Sequence, residues 1–362
     1  MTLDALLGRR HLPQLTAAPP PGPRAAVSII VPARNEAAAL PGSLPALLAQ
    51  TYPDLEVIVL DDRSTDATPA ILSALRSPRL TVVRIEAVPE GWLGKTHALD
   101  VGSRRARGEW LLFTDADVVF HPRAVEAAVA LAEARGADHL VLTPHTQTAG
   151  FWEPILVGCF GLLFGLTLRP WRAADPESGA FVGIGAFNLI RREAYRRIGT
   201  HRALATEVVD DLELGRRVKQ QGLRQVLARG EALLSLRWQV GLRGIVAGLE
   251  KNAFASLDYS IGKTLAACAG LALLLIVPLL ALLAGGRGLW IPAAALPIAL
   301  QAAHAAEAGL PLWSALFQPA GIAVLLYAIL RSAVLVLARG GVVWRGTLYP
   351  VAALRRTGTA PR

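Results

Sequence analysis

Residues Glu109–Val119 read EWLLFTDADVV, and the rest of the chain can be read outward from them. Glu109-Trp110-Leu111-Leu112-Phe113 is a short apolar run rich in β-formers, and it stops at Thr114-Asp115-Ala116-Asp117. Such a run reads as a strand buried on both faces, as in a parallel sheet. Two carboxylates one residue apart at its carboxyl end fall where open α/β sheets place ligands. On an extended segment Asp115 and Asp117 share a side and repel each other unless a cation sits between or near them. Hard oxygen ligands favour Mg2+ or Mn2+, with substrate phosphates completing the shell. The same pair also fits a solvated strand-end turn, because Asp favours turns. The neighbouring motifs decide between the two.

The composition sets the frame. The chain has 362 residues, of which 53% are hydrophobic, with a mean hydropathy of +0.41 and a formal net charge of +9. The apolar excess lies mostly after Gly262. The basic balance suits an anionic partner. Its Lys and Arg residues are dispersed, with no aromatic–basic ladder and no nucleic-acid motif, so a nucleic-acid partner is not expected. Membrane surface and phosphorylated substrate are the better readings. Cys159 and Cys268 both lie in apolar segments and form neither a disulfide framework nor a metal cluster. The first residues lack the apolar run of a cleavable signal.

In chain order, residues 1–24 end in a Pro-rich approach segment. Strands are expected at 25–31, 55–60, 80–85 and 109–113, with helices at 37–50, 67–76 and 96–107 between them. This alternation is the signature of a doubly wound parallel sheet. A helix at 122–135 and a strand at 140–143 follow. Residues 151–171 form an apolar stretch too short to span, read as interfacial or re-entrant, or equally as a buried core helix. Residues 181–190 are a Gly-punctuated strand or loop. Asp210-Asp211 lead into a helix at 212–221 closed by Gly222. A strand at 233–237 and an amphipathic helix at 242–257 complete the expected catalytic domain, 25–258. Residues 264–284 and 315–337 are long and apolar enough to cross a bilayer; 289–304 is a weaker middle segment. The expected membrane region is 259–339 and the basic tail 340–362. With that tail and a nucleotide-using domain both cytoplasmic, the crossing number is even and two crossings are expected, with three as the alternative.

Four polar clusters follow expected strands or open helices: Asn35-Glu36, Asp61-Asp62, Asp115/Asp117 and Asp210-Asp211. Each alone is an ordinary turn or helix cap. Together, VSIIVPARNE (27–36), VIVLDDRSTDAT (57–68), GWLGKTHALDVG (91–102), LLFTDADVVF (111–120) and VVDDLELGRRVKQQG (208–222) resemble the successive motifs of family 2 glycosyltransferases. Further stretches at 183–201, 236–254 and 340–349 resemble the membrane-anchored bacterial branch associated with hopanoid and carotenoid pathways.

The resemblance implies an α/β fold, a GT-A-type Rossmann-like and mainly parallel sheet domain, followed here by C-terminal transmembrane helices. It implies that Pro32, Asn35 and Glu36 line the nucleotide pocket and that Asp62 binds the base. Lys95 would lie near base or diphosphate, Asp115 near ribose or sugar, and Asp117 would hold a metal, Mg2+ or Mn2+. Asp211 would be the general base, and Asp210 replaces the family's usual Glu. Arg237 and Trp238 are candidates for diphosphate and acceptor, and His201 for the border of the acceptor site. The Gln of the polymer synthases' Q-x-x-R-W is absent, Leu234 standing there, which disfavours long-polymer synthesis. The implied activity is a single inverting transfer from a nucleotide-sugar, a UDP-sugar for preference, to a lipid or lipid-linked hydroxyl, at the inner membrane. A non-catalytic membrane scaffold and a membrane nucleotidyl- or phosphotransferase are the rival readings.

Overall fold

The computed structural model describes residue 8 and residues 12–17 and 25–355. Most of the approach segment and the end of the basic tail, 356–362, lie outside the described residues. By compactness the chain divides into two units, one of 7–146 with 168–237 and one that includes 147–167 and 238–362.

The first unit is built on a sheet of seven strands among the described residues: β1 (Val27–Ala33), β2 (Leu55–Asp62), β3 (Leu80–Ile85), β4 (Trp110–Phe113), β6 (His139–Thr143), β8 (Asn188–Arg191) and β9 (Gln225–Arg229). Their order is β3-β2-β1-β4-β8-β6-β9. Neighbours β3, β2, β1 and β4 run parallel; β8 is antiparallel to β4 and to β6, and β6 is parallel to β9. The apolar runs of β1, β2 and β4 are buried on both sides, as an inner parallel sheet requires. One face packs Leu44, Trp110 and Phe187 in its core, and the other packs Ile30, Leu60, Leu111 and Tyr195.

The topology brings the functional segments to one edge. Strands β1, β2 and β4 run parallel and end there, releasing Arg34-Asn35-Glu36, Asp62 and Asp115 from their carboxyl ends. Because β8 runs the other way, the loop before it, 183–187, comes to the same edge, with Asn188 opposite Phe113. The helix Gly94–Arg105 presents Lys95 in its first turn.

The structure changes several sequence expectations. Asp115-Ala116-Asp117 is not extended: it lies in a turn between β4 and the two-residue strand β5 (Val119–Phe120). β5 joins β10 (Leu234–Leu236) and β7 (His145–Thr146) in a small second sheet. The helix carrying the acidic pair is Asp210–Gln220, so both aspartates are inside its first turn. β9 was not expected at all. Residues 12–17 of the approach segment lie beside it, Leu15 donating to the Arg229 carbonyl at 2.8 Å.

The second unit is helical. It reaches back to 147–167 and 238–258, stretches that the sequence assigns to the catalytic domain. Its core joins Ile155, Leu156 and Cys159 of the helix Trp152–Leu168, Ile245 and Leu249 of Gly241–Asn252, and Ile322 and Leu325 of Gln318–Arg339. Buried Glu153 holds two of these pieces, accepting from the amides of Ala149 at 2.8 Å and Gly241 at 2.7 Å. The amphipathic helix ends at Asn252, short of the expected 257. Two helical stretches, Ile261–Leu283 and Leu312–Arg339, are long and apolar enough to cross a membrane by length and composition. The middle segment is one continuous helix, Trp290–Ala308, with Pro297 inside it, and it carries Gln301 and His304. The tail opens with a hairpin, β11 (Gly341–Trp344) and β12 (Thr347–Pro350), whose Arg345-Gly346 turn has both residues at positive φ.

Candidate active site

The site is a ring of carboxylates around one cation. Lys95 Nζ lies 2.9 Å from Asp115 Oδ1 and 3.4 Å from Asp210 Oδ1. Burial works against the Lys95 ammonium, but the charges of Asp115, Asp210 and Asp211 outweigh it and hold the group well above the ordinary lysine range. A fixed cation thus joins the turn after β4 to the helix that opens at Asp210. Lys95→Met leaves two carboxylates without it. We expect a loss of about 2 kcal/mol, moderated because Asp115 is part exposed, read as a fall in Tm of the metal-free protein.

Asp117 lies two residues further along the same turn. Burial, then the charges of Asp115 and Glu36, push its carboxyl up to about 7. Negative charge is in excess there, and Lys95 only partly offsets it. Hard oxygen donors with unbalanced charge are what a divalent cation requires. No group of three or more His, Cys, Asp or Glu side chains among the described residues could cage a metal. The donor set therefore fits a cation that shares its shell with a substrate diphosphate.

Asp211 occupies the first turn of its helix, where the backbone dipole favours an anion. Its Oδ1 accepts from the Leu212 amide at 2.8 Å. Gly185 lies between the two acidic arms. A Cβ on it would sit 2.4 Å from Asp115 Oδ2 and 3.4 Å from Asp211 Oδ2, and its carbonyl accepts from the Asp115 amide at 3.0 Å. Gly183 is tighter still: its Cβ would fall 1.7 Å from the Asp211 carbonyl oxygen. In the sequence these two residues are glycine punctuation at the start of the 183–201 stretch, with no site role assigned to them. Their G-x-G spacing just before a strand is the signal of close backbone approach. Gly185→Ala must displace Asp115, and about a tenfold fall in kcat is expected from steady-state assays.

The nucleotide-pocket candidates gather at the ends of β1 and β2. Pro32 pairs with Leu60 within the sheet. Asn35 has φ of +56°, accepts from the Thr65 amide through Oδ1 at 2.8 Å and donates from its own backbone amide to Ser64 Oγ at 3.0 Å. The Glu36 amide donates to Thr68 Oγ1 at 2.8 Å. Asp62 is buried and paired with Arg63 at 2.8 Å, with Arg34 at 3.8 Å. Gly94 gives it room, since a Cβ there would meet Asp62 Oδ2 at 2.3 Å. Arg34 and Arg63 were not singled out from sequence.

Pro32, Lys95, Asp115, Gly185, Asp210 and Asp211 line one recess. His201 also lines it from within the core. Only 1% exposed, it bonds Tyr195 Oη through Nδ1 at 2.7 Å and packs edge-on to Phe113. Burial and then Lys95 lower it to about 3, so the ring is neutral. Arg237 is exposed at the end of the first unit. Trp238 belongs to the second unit, where its ring packs at a 31° tilt against Phe160 with centroids 4.6 Å apart.

The family model of glycosyl transferase family 2 matches residues 28–199, which enclose β1 through β8, Lys95 and the Asp115/Asp117 turn. The chain carries a family 2 glycosyltransferase domain. Asp210 and Asp211 follow the matched span by about a dozen residues. The 4,4'-diaponeurosporenoate glycosyltransferase of Staphylococcus aureus strain MRSA252 is 29% identical over 272 residues, 74% of this chain and 71% of the relative. The protein of that name from strain USA300 is 29% identical over 257 residues, 70% and 67% of the two chains. A solved mannosyltransferase from Pyrobaculum calidifontis, in complex with GDP-Man and Mn2+, superimposes with a TM-score of 0.55. It is 24% identical and the match covers 92% of this chain and 95% of that one. The fold is GT-A, and the enzyme is a glycosyltransferase.

Proposed function

We propose that this glycosyltransferase moves one sugar from a nucleotide-sugar, a UDP-sugar for preference, to a lipid-like acceptor, with inversion at the anomeric carbon. The observation that carries the reading is the convergence of two acidic arms on one recess: Asp115 from the turn after β4, which also holds Asp117, and Asp211 from a helix first turn, with Gly185 against both. One arm suits the departing diphosphate and the other the incoming nucleophile.

Asp62 and the Asn35-Glu36 loop hold the base and ribose, and Lys95 and Asp115 orient the sugar diphosphate. Asp117 would hold Mg2+ or Mn2+, which when bound stabilises the leaving diphosphate as a Lewis acid. Asp211 takes the proton of the acceptor hydroxyl as its oxygen bonds the anomeric carbon. The carbon–oxygen bond to the diphosphate breaks, and the nucleoside diphosphate leaves with the electron pair. One base opposite one leaving group gives a single displacement and an inverted product.

The relatives' name denotes a carotenoid-class molecule, and an acceptor of that kind dissolves in a bilayer. The apolar surface of the second unit supports the same setting. Leu265, Leu274 and Leu283 are 57%, 65% and 75% exposed on the helices of Ile261–Leu283, a distribution that water would penalise and lipid would not. In this reading Ile261–Leu283 and Leu312–Arg339 cross the cell inner membrane and the catalytic domain is cytoplasmic.

The experiment is to incubate purified protein with a panel of nucleotide-sugars and host lipid extract, following the nucleotide product and the mass of the lipid product. Release of nucleoside diphosphate with a hexose-sized mass increase supports the reading. Release of pyrophosphate, or binding without turnover on any extract, overturns it.

A further inference from the structure

Three buried side chains have no role in the reaction above: His139 and Gln225, and Asn188, which also lines the recess beside Asp115 and Asp211. His139 on β6, Asn188 on β8 and Gln225 on β9 are 0%, 3% and 1% exposed. They lie on neighbouring strands, His139 directly opposite Gln225. Buried polar groups of this kind persist only when their hydrogen bonds are met.

Here the bonds run in one direction. Gln225 Oε1 accepts from the Val182 amide at 2.8 Å, while its Nε2 faces the Val182 carbonyl at 3.0 Å and the Gly215 carbonyl at 3.2 Å. The same Nε2 lies 2.9 Å from His139 Nδ1, so its two hydrogens are shared among three acceptors, the Gly215 carbonyl being the most distant. Because an amide nitrogen only donates, Nδ1 is the accepting nitrogen of the ring. The proton is then on Nε2, 3.2 Å from Asn188 Oδ1. Asn188 in turn donates from Nδ2 to the Ile184 carbonyl at 2.7 Å. Burial lowers His139 to about 4, so one neutral tautomer persists through the physiological range.

The backbone groups held at the far ends are those on either side of Gly183, together with Gly215 in the Asp210 helix. No side chain can fit between the two pieces. A Cβ on Gly215 would meet the Val182 carbonyl oxygen at 1.9 Å, and one on Gly183 would meet the Asp211 carbonyl oxygen at 1.7 Å. Gly185, one residue beyond Ile184, is the wedge between Asp115 and Asp211.

Resting on the proposed reaction, we infer that His139, Asn188 and Gln225 are positioning residues: a buried relay that clamps the 182–185 loop to the helix of Asp210 and Asp211 and so fixes the separation of the two acidic arms. The clamp acts on the distance between the leaving-group and nucleophile sides. Breaking it should therefore lower kcat more than it raises the donor KM. A misplacement near 1 Å costs about 10²-fold in rate.

The test compares His139→Phe, which keeps a ring and removes both bonds, with His139→Gln, which can accept from Gln225 and donate to Asn188. Asn188→Ala, which releases the Ile184 carbonyl and removes the acceptor of the His139 Nε2 proton, is the second loss variant should His139→Phe fold poorly. Two readouts are taken: steady-state kinetics with wild type as reference, and amide hydrogen exchange by mass spectrometry, which needs no turnover. We expect His139→Phe and Asn188→Ala to speed exchange within 182–187 and 211–215 but not in β1 and β2. We expect kcat to fall at least tenfold with donor KM within about threefold, and His139→Gln to restore most of it. Unchanged local exchange in both loss variants overturns the clamp. So does faster local exchange with kcat within twofold of wild type, or faster exchange throughout the sheet. An inactive wild type would instead count against the proposed reaction, and the exchange pattern still decides the clamp.

Discussion

Asp211→Asn should cut transfer to a hydroxyl acceptor by orders of magnitude while leaving donor binding intact. The carboxylate sits in the first turn of the Asp210–Gln220 helix and accepts the Leu212 amide through Oδ1. An asparagine oxygen can accept that bond, and the side chain keeps its size, so the helix start and the packing of Gly183 and Gly185 should survive. What is lost is the ability to take a proton. General-base catalysis is worth about 10² to 10⁴ in rate, and a fall of that size in kcat with unchanged donor KM is the expected result. The acceptor supplies an internal control. A carboxylic acid is already ionised at neutral pH and needs no base, so a carboxylate acceptor should show a much smaller loss. Equal and small losses on both acceptor types would remove Asp211 from the chemistry.

Replacing Asp117 by Asn should have two opposite effects. Transfer should fall by about 10²-fold or more, because the departing diphosphate loses the group assigned to its cation. The metal-free protein, by contrast, should become more stable at pH 8. The sign follows from proton linkage. Burial and the charges of Asp115 and Glu36 raise the folded-state pKa of Asp117 from 3.8 to about 7. Between those values the folded chain holds a proton that the unfolded chain has released, so stability attributable to this group falls as pH rises through that window. Above it the wild type carries an unrelieved buried charge, and the asparagine variant does not. Thermal melts in the presence of a nucleoside diphosphate, with and without Mn2+, check this: metal should raise the wild-type Tm at pH 8 and leave the Asp117→Asn variant nearly unmoved. A variant stabilised by metal as strongly as wild type would contradict the assignment.

The strand-end acids were legible because their signals are local. Runs such as LEVIVLDD (55–62) and WLLFTDAD (110–117) state both a buried strand and its polar end within a few residues. The order of those runs carried the sheet's parallel half. What stayed hidden depends on distant partners. Strand β9, QVLAR, is short and polar at both ends; it is a strand because β6, more than eighty residues earlier, lies beside it. The same non-locality concealed His139, Asn188 and Gln225, each unremarkable in its own stretch. Gly183 and Gly185 carried a signal, but their meaning needed the Asp210 helix against them. The Asp115/Asp117 pair was read on an extended strand; chain reversal after Phe113 puts it in a turn instead, and the two carboxylates still repel. The tail hairpin was within reach, since Arg345-Gly346 between VVW and TLY is a two-residue turn between short β-forming runs.

The central claim is a single displacement, with Asp211 and the Asp115/Asp117 turn on opposite sides of the sugar. The most direct measurement is the anomeric configuration of the product, read by NMR after transfer from a nucleotide-sugar of known configuration. An inverted linkage is the expected result. A retained linkage would mean two displacements or front-face attack, and would contradict the account.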